Sequence, residues 1–216
     1  MNKRTIASLY LRASRWRFET DLPKLKKYVI VAYPHTSNWD GINLVFCAQS
    51  VGVNLNWMVK RSLVDGPLGR LLLKFGAVPI DRSQKNNVVD QMVAEFEKRD
   101  SMALAIPPEG TRSKREGWKS GFYHIARGAN VPVVPGYLDF NRRVAGLGDP
   151  ITMTGDVAHD MANIEKFYLE KNPIGKHHSL ASPIRLLSKK EVESAHVSNA
   201  SYVAETHTKS RSDELT

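Results

Sequence analysis

Short apolar runs rich in β-prone residues alternate along this chain with segments of helical periodicity, and few architectures accept that order. Tyr28-Val29-Ile30-Val31-Ala32-Tyr33 reads as a strand. The helix after it, 38–50, carries Ile42, Val45, Phe46 and Gln49 on one face and has Gly52 as its stop. A β-prone segment at 54–59 precedes Asp65-Gly66-Pro67, a good start for a helix with the stripe Leu68, Leu71, Leu72 and Phe75. Strand signals at 77–80, 102–106 and 132–140 enclose helical patterns near 87–99 and 120–128, and a further helix is expected at 156–170. The expected fold is α/β: a single domain with a mostly parallel central sheet flanked by helices, preceded by an N-terminal amphipathic helix. The 216 residues are enough for one substantial core and do not require a second. The domain is expected over 1–187, with the polar, weakly periodic segment 188–216 as a flexible tail.

The formal net charge of +9 calls for an anionic partner: a phosphate-bearing substrate, an acidic membrane surface or nucleic acid. No helix-turn-helix, zinc or aromatic RNA-binding signature accompanies the charge, so nucleic acid is not an expected partner. The single Cys47 excludes an intramolecular disulfide framework and any Cys-rich metal module. No apolar run reaches the eighteen or so residues a membrane span requires, and no secretory signal is read, so a cytoplasmic protein held peripherally at a membrane is expected. The N-terminal helix, placed at about 5–18, sets Ile6, Leu9, Tyr10, Ala13 and Trp16 along one face amid Lys3, Arg4, Arg12, Arg15 and Arg17. That pattern fits either a helix lying on lipid or one packed on the domain.

At the first strand-to-helix turn stands His35-Thr36-Ser37-Asn38-Trp39-Asp40. Residues five apart on one helix point away from each other. His35 and Asp40 meet only if the His lies in the turn and the Asp in the first helical turn. Such a pair is half of a general-base device, the carboxylate fixing the tautomer of the imidazole. The same spacing fits a helix start with Ser37 or Asn38 as N-cap. Later strands are followed by Arg82 and Ser83 and by Glu109-Gly110-Thr111-Arg112-Ser113, and the run Val131-Pro132-Val133-Val134-Pro135 lies at a further strand. In a parallel sheet these loops gather at the carboxyl edge, where ligands bind. Arginine suits a phosphate there through its planar fork.

This order of blocks resembles the glycerophospholipid acyltransferase family over roughly residues 28–140, with His35 to Asp40, Gly76 to Ser83, Glu109 to Ser113 and Val131 to Pro135 as its four motifs. The resemblance implies an acyl-CoA or acyl-carrier-protein donor, a lysophospholipid acceptor and no resident cofactor or metal. The acceptor it points to first is 1-acylglycerol-3-phosphate, giving phosphatidate. It also implies that His35 and Asp40 are catalytic, that Arg82 and Arg112 hold the acceptor phosphate, and that Glu109 contacts the glycerol part. Gly110 and Thr111 belong to the same loop, and Lys60 matches a further phosphate-contacting lysine. The oxyanion of such a reaction would meet backbone N–H groups near Asn38–Asp40. An apolar groove for the acyl chain is expected, with Leu72, Phe75, Val133 and Val134 as walls. The helix bearing Leu72, with Arg70 and Lys74 on its outer side, is expected to pack on the sheet, with dipping into lipid as the alternative. Two other readings stay open: acyl transfer to an amino-acid lipid, glycolipid or other lysolipid, and a non-catalytic membrane lipid-binding protein.

Overall fold

The computed structural model describes residues 2–81, 87–188 and 191. The elements in order are α1 (Lys3–Ser14), β1 (Arg17–Phe18), β2 (Lys27–Ala32), α2 (Asn38–Ser50), β3 (Leu55–Lys60), α3 (Arg61–Val64), α4 (Gly69–Lys74), β4 (Ala77–Ile80), α5 (Asn87–Lys98), β5 (Met102–Ile106), α6 (Gly121–Gly128), β6 (Val133–Asp139), β7 (Val144–Leu147) and α7 (Val157–Lys171). The strands form one sheet in the order β1-β7-β6-β2-β5-β3-β4. All neighbouring pairs are parallel except β6–β7. The fold is thus the α/β architecture expected, extended at one edge by two strands that periodicity does not reveal.

Those two strands explain the irregular end of the N-terminal helix. The helix closes at Ser14, Arg15 takes a left-handed conformation (φ 60°), and Arg17–Phe18 pairs with Val144–Ala145. The expected helix at 5–18 is therefore four residues too long at its C-terminal end. Arg17 and Phe18 fall off its apolar stripe because they alternate as a strand does. Its inner face packs on α2: Ala7 and Leu11 are buried, the Tyr10 ring stacks on Phe46 at 4.2 Å, and the Tyr10 hydroxyl donates to Asn43 Oδ1 at 2.8 Å.

Successive strand residues serve opposite layers. Val29, Val31, Leu104, Ile106 and Val133 face a core with Trp118, Phe122 and Tyr168 from the α5–α6–α7 side. Tyr28, Ile30, Ala103, Ala105 and Val134 face the other side, against Ala48 of α2. On that second side two glycines set the course of α3 and α4. A Cβ on Gly69 would lie 1.7 Å from the Val64 carbonyl oxygen, and Gly76 has φ +104° with its Cβ position 2.0 Å from the Leu55 oxygen. Only glycine lets the short helices fold this tightly between β3 and β4.

On the first side α7 is anchored by Asp160, which is fully buried. Its oxygens accept from the Tyr123 hydroxyl (2.8 Å), the Thr154 amide (2.9 Å) and hydroxyl (2.9 Å), and the Gly155 amide. Burial alone would raise its pKa, but these hydrogen bonds outweigh it and hold the carboxyl below its usual value. A depressed native pKa adds stability at pH values above the unfolded-state pKa, lost as pH falls through the native one. Asp160→Asn should therefore be less stable than the parent at pH 7, with the difference in chemical-denaturation midpoint shrinking as pH drops below about 4.

Candidate active site

Beyond Ala32 the chain turns through a cis Tyr33–Pro34 bond into α2. Ser37, in extended backbone, caps the helix, and its Oγ accepts the Trp39 amide at 3.2 Å. Asp40, the third helical residue, reaches back over the turn. Its Oδ2 accepts the Thr36 amide at 2.6 Å and the Ser37 amide at 2.8 Å, and lies 3.1 Å from His35 Nδ1. The helix cap and the His/Asp pair are thus one arrangement. An oxygen already accepting two N–H groups takes its third contact from a donor, which assigns the imidazole proton to Nδ1 and leaves Nε2 as the basic nitrogen. The His35 side chain stays 22 % exposed while Asp40 is buried, so the pair opens to ligand only through the imidazole.

Glu109, for which the resemblance implies contact with the glycerol part, is turned into the protein. It is fully buried, its Oε2 accepts the His35 amide at 2.6 Å, and its Oε1 accepts the Ser182 amide at 2.9 Å. With both oxygens committed to backbone it braces the His35 turn from behind. Burial pushes its carboxyl above the usual range, and the amides of Ser182 and His35 pull the other way. The segment after α7 completes the brace. The His177 amide donates to Thr36 Oγ1 at 3.2 Å, Ser182 Oγ accepts the Arg115 amide at 3.0 Å, and the Tyr33 hydroxyl donates to the Ser182 carbonyl at 3.0 Å. No local pattern marks Ser182, which stands 73 residues from Glu109 in the chain.

In front of His35 opens a groove of about 990 Å³, ample for one small-molecule or acyl ligand. Ala32 and Ala105, near the carboxyl ends of β2 and β5, and Gly136, in the middle of the adjacent β6, put little side-chain bulk at its floor, with Ala32 and Gly136 in register. Leu44 and Val45 of α2 line it, as do Leu55 and Trp57 of β3 and Leu63, Leu71, Leu72 and Phe75 around α3–α4. Leu72 and Phe75 are where the sequence placed them. Val133 and Val134 are not on the wall: Val133 faces the opposite layer of the sheet, and Val134 is fully buried beneath α2. Gly110, Thr111 and Arg112 sit at the groove, and the Arg112 guanidinium donates to Asn38 Oδ1. Lys60 is exposed at the end of β3 and does not line the groove. Arg82 lies outside the described residues, as does the expected tail beyond Ser188 apart from Glu191.

The amides of Thr36, Ser37, Trp39 and Asp40 are all engaged at the cap. Of the N–H groups expected to meet an oxyanion, that of Asn38 alone makes no hydrogen bond among the described residues. The Lys176 ammonium lies 5.2 Å from the Trp39 ring centroid, beside the same turn. Cys47 is buried in α2, its thiol pushed up to about 12 by desolvation, and is a packing residue. Among the described residues no three His, Cys, Asp or Glu side chains come together to hold a metal ion.

The family profile described as Acyltransferase matches residues 14–139, from the end of α1 through β6 and including the whole His35–Asp40 and Glu109–Arg112 region. The chain belongs to that family. A 1-acyl-sn-glycerol-3-phosphate acyltransferase of Escherichia coli is 29 % identical over 137 residues, covering 60 % of this chain and 54 % of that one. The Salmonella typhimurium protein of the same name is 32 % identical over 108 residues, 47 % of this chain and 42 % of its own. The chain spans about half the length of the curated relatives it matches. The crystal structure of the 1-acyl-sn-glycerophosphate (LPA) acyltransferase PlsC from Thermotoga maritima superposes with a TM-score of 0.56 over 79 % of each chain at 16 % identity, which establishes the shared fold.

Glu109→Gln separates a brace from a substrate contact. The amide cannot accept both backbone N–H groups, so the variant should lose about 1–3 kcal/mol of stability and lower kcat with an unchanged KM for the acceptor. An unchanged denaturation midpoint with a raised acceptor KM would restore the glycerol-contacting role.

Proposed function

We propose that this acyltransferase moves a fatty acyl group from an acyl-CoA or acyl-carrier-protein thioester to the free hydroxyl of a lysophospholipid, with 1-acylglycerol-3-phosphate as acceptor and phosphatidate as product. The observation that carries this reading is His35, fixed by Asp40, at the end of an apolar groove with Arg112 at the same turn. The names of the curated relatives support the acceptor.

In this reaction His35 Nε2 takes the proton of the acceptor hydroxyl as its oxygen attacks the thioester carbon. Asp40 stabilises the imidazolium that forms. The carbonyl oxygen becomes an oxyanion next to the helix start, where the free Asn38 amide and the dipole of α2 favour negative charge. Collapse expels the thiolate, which recovers the proton from the imidazolium, so the chain forms no covalent intermediate and the chemistry uses no resident cofactor. Arg112 binds the acceptor phosphate by its fork, releasing Asn38 to do so. The groove keeps the acyl chain from water, each buried methylene contributing about 0.8 kcal/mol.

Purified protein is mixed with either thioester donor and lysophosphatidate beside His35→Ala. Phosphatidate should form with the parent, and turnover should fall about 10²–10⁴-fold in the folded variant. Full activity in the variant removes His35 from the mechanism, and product only with a non-phosphorylated acceptor removes the phosphate role of Arg112. Leu72→Trp, which narrows the groove between α4 and β3, should shift donor preference towards shorter acyl chains in a competition assay.

A further inference from the structure

The helix expected to pack on the sheet leaves most of its leucines in water. Leu63, Leu68, Leu71 and Leu73 are between 48 and 63 % exposed, and Trp39 and Ile42 stand exposed at the start of α2. These are not scattered. Leu63, Leu71 and Ile42 also line the groove, so the apolar surface runs continuously from the groove wall to the outside. On α4, Leu71 and Leu73 diverge about 100° to either side of Leu72, which points inward. An amphipathic helix seated on its own domain would carry polar residues there. The charge is equally one-sided: residues 60–75 hold Lys60, Arg61, Arg70 and Lys74 against Asp65 alone. The four basic residues are exposed.

From this we propose that α3–α4, with Trp39 and Ile42 beside them, is a docking face for an anionic lipid bilayer. The leucines enter the acyl region and the flanking cations meet headgroup phosphates. This rests on the acyl-transfer reading and adds to it the route of entry: a lysolipid passes from the bilayer straight into the groove without crossing water. Burial of apolar side chains together with attraction of basic groups to anionic headgroups is the combination that holds monotopic proteins at an interface. A protein partner is the less fitting occupant, since it would have to leave open the groove mouth between Leu63, Leu71 and Ile42. The face differs from α1, whose inner side is already packed on α2.

The test is flotation of the full chain with vesicles of phosphatidylcholine alone or with added phosphatidylglycerol, without donor or acceptor. The parent should bind the anionic vesicles. The double variant Leu68→Asp, Leu73→Asp, at two leucines outside the groove wall, should lose at least about tenfold in binding, and Arg70→Glu should weaken binding to anionic vesicles only. Leu9→Asp on α1 should bind as the parent does. Circular dichroism and turnover of a short-chain, water-soluble acceptor check that the double variant is intact. Undiminished vesicle binding by that variant, or loss shared equally by Leu9→Asp, overturns the proposal. So does sedimentation equilibrium in which the parent is a dimer and the double variant a monomer, which would assign the face to a second copy. Loss of binding with the leucines supports the docking face whether or not any acceptor is turned over. Failure of turnover counts against the acyl-transfer reading alone.

Discussion

A buried carboxyl without an ion pair has to be satisfied by hydrogen-bond donors, and Glu109 draws backbone amides from segments far apart in the chain. The His35 amide comes from the turn after β2, and the Ser182 amide from the chain that returns after α7. The loop that carries Glu109 follows β5, the neighbour of β2 in the sheet. One side chain therefore ties together the loops of adjacent strands and the C-terminal segment that crosses behind them. The stake is large, because a buried acceptor that loses a donor bears the full cost of desolvation. His35 can keep a defined position in an irregular turn because this bond fixes its backbone while Asp40 fixes its ring.

Asp40 does two jobs with one oxygen, and that limits what the turn can offer a ligand. Holding the Thr36 and Ser37 amides starts the helix, and the third contact orients the imidazole. Each amide spent on the cap is lost to a developing oxyanion. The helix start is thus a sparser anion site than a bare helix N-terminus, with the Asn38 amide left over. Since one Asp40 oxygen holds both the cap and the imidazole, a change at Asp40 disturbs the helix start and the His35 ring together, whereas His35 can be altered with the cap intact.

The alternation of strand and helix was legible because each parallel strand is an apolar run bounded by turn residues, and the His-to-Asp spacing of five was legible as a turn-plus-helix geometry. The walls of the groove were less so. Strands covered on both faces lose the alternating pattern that tells one face from the other, so Val133 and Val134 looked equivalent although consecutive residues must face opposite layers. Arg17–Phe18 and Val144–Leu147 are too short to carry a period. Ser182 works through both its amide and its hydroxyl, but it comes to Glu109 from 73 residues away, a contact no local pattern marks. The stripe Leu68, Leu71, Leu72 and Phe75 had the right spacing for a buried face, yet Leu68 and Leu71 stay exposed because the span is broken into two short helices.

The groove and the open leucines share one cause. Towards the carboxyl edge the floor is built from Ala32, Ala105 and Gly136, and Gly136 has no room for a Cβ, which would lie 2.7 Å from Ile30 Cγ2. The span between β3 and β4 holds no long helix to cover this edge. The chain instead places two short helices of four and six residues in that span, too short to close it. Apolar side chains at the edge of such an opening lack a protein layer to cover them, and burial in a bilayer is the contact that would remove both surfaces from water at once. On the proposed reading, the groove that takes the acyl chain is continuous with the surface that docks on lipid.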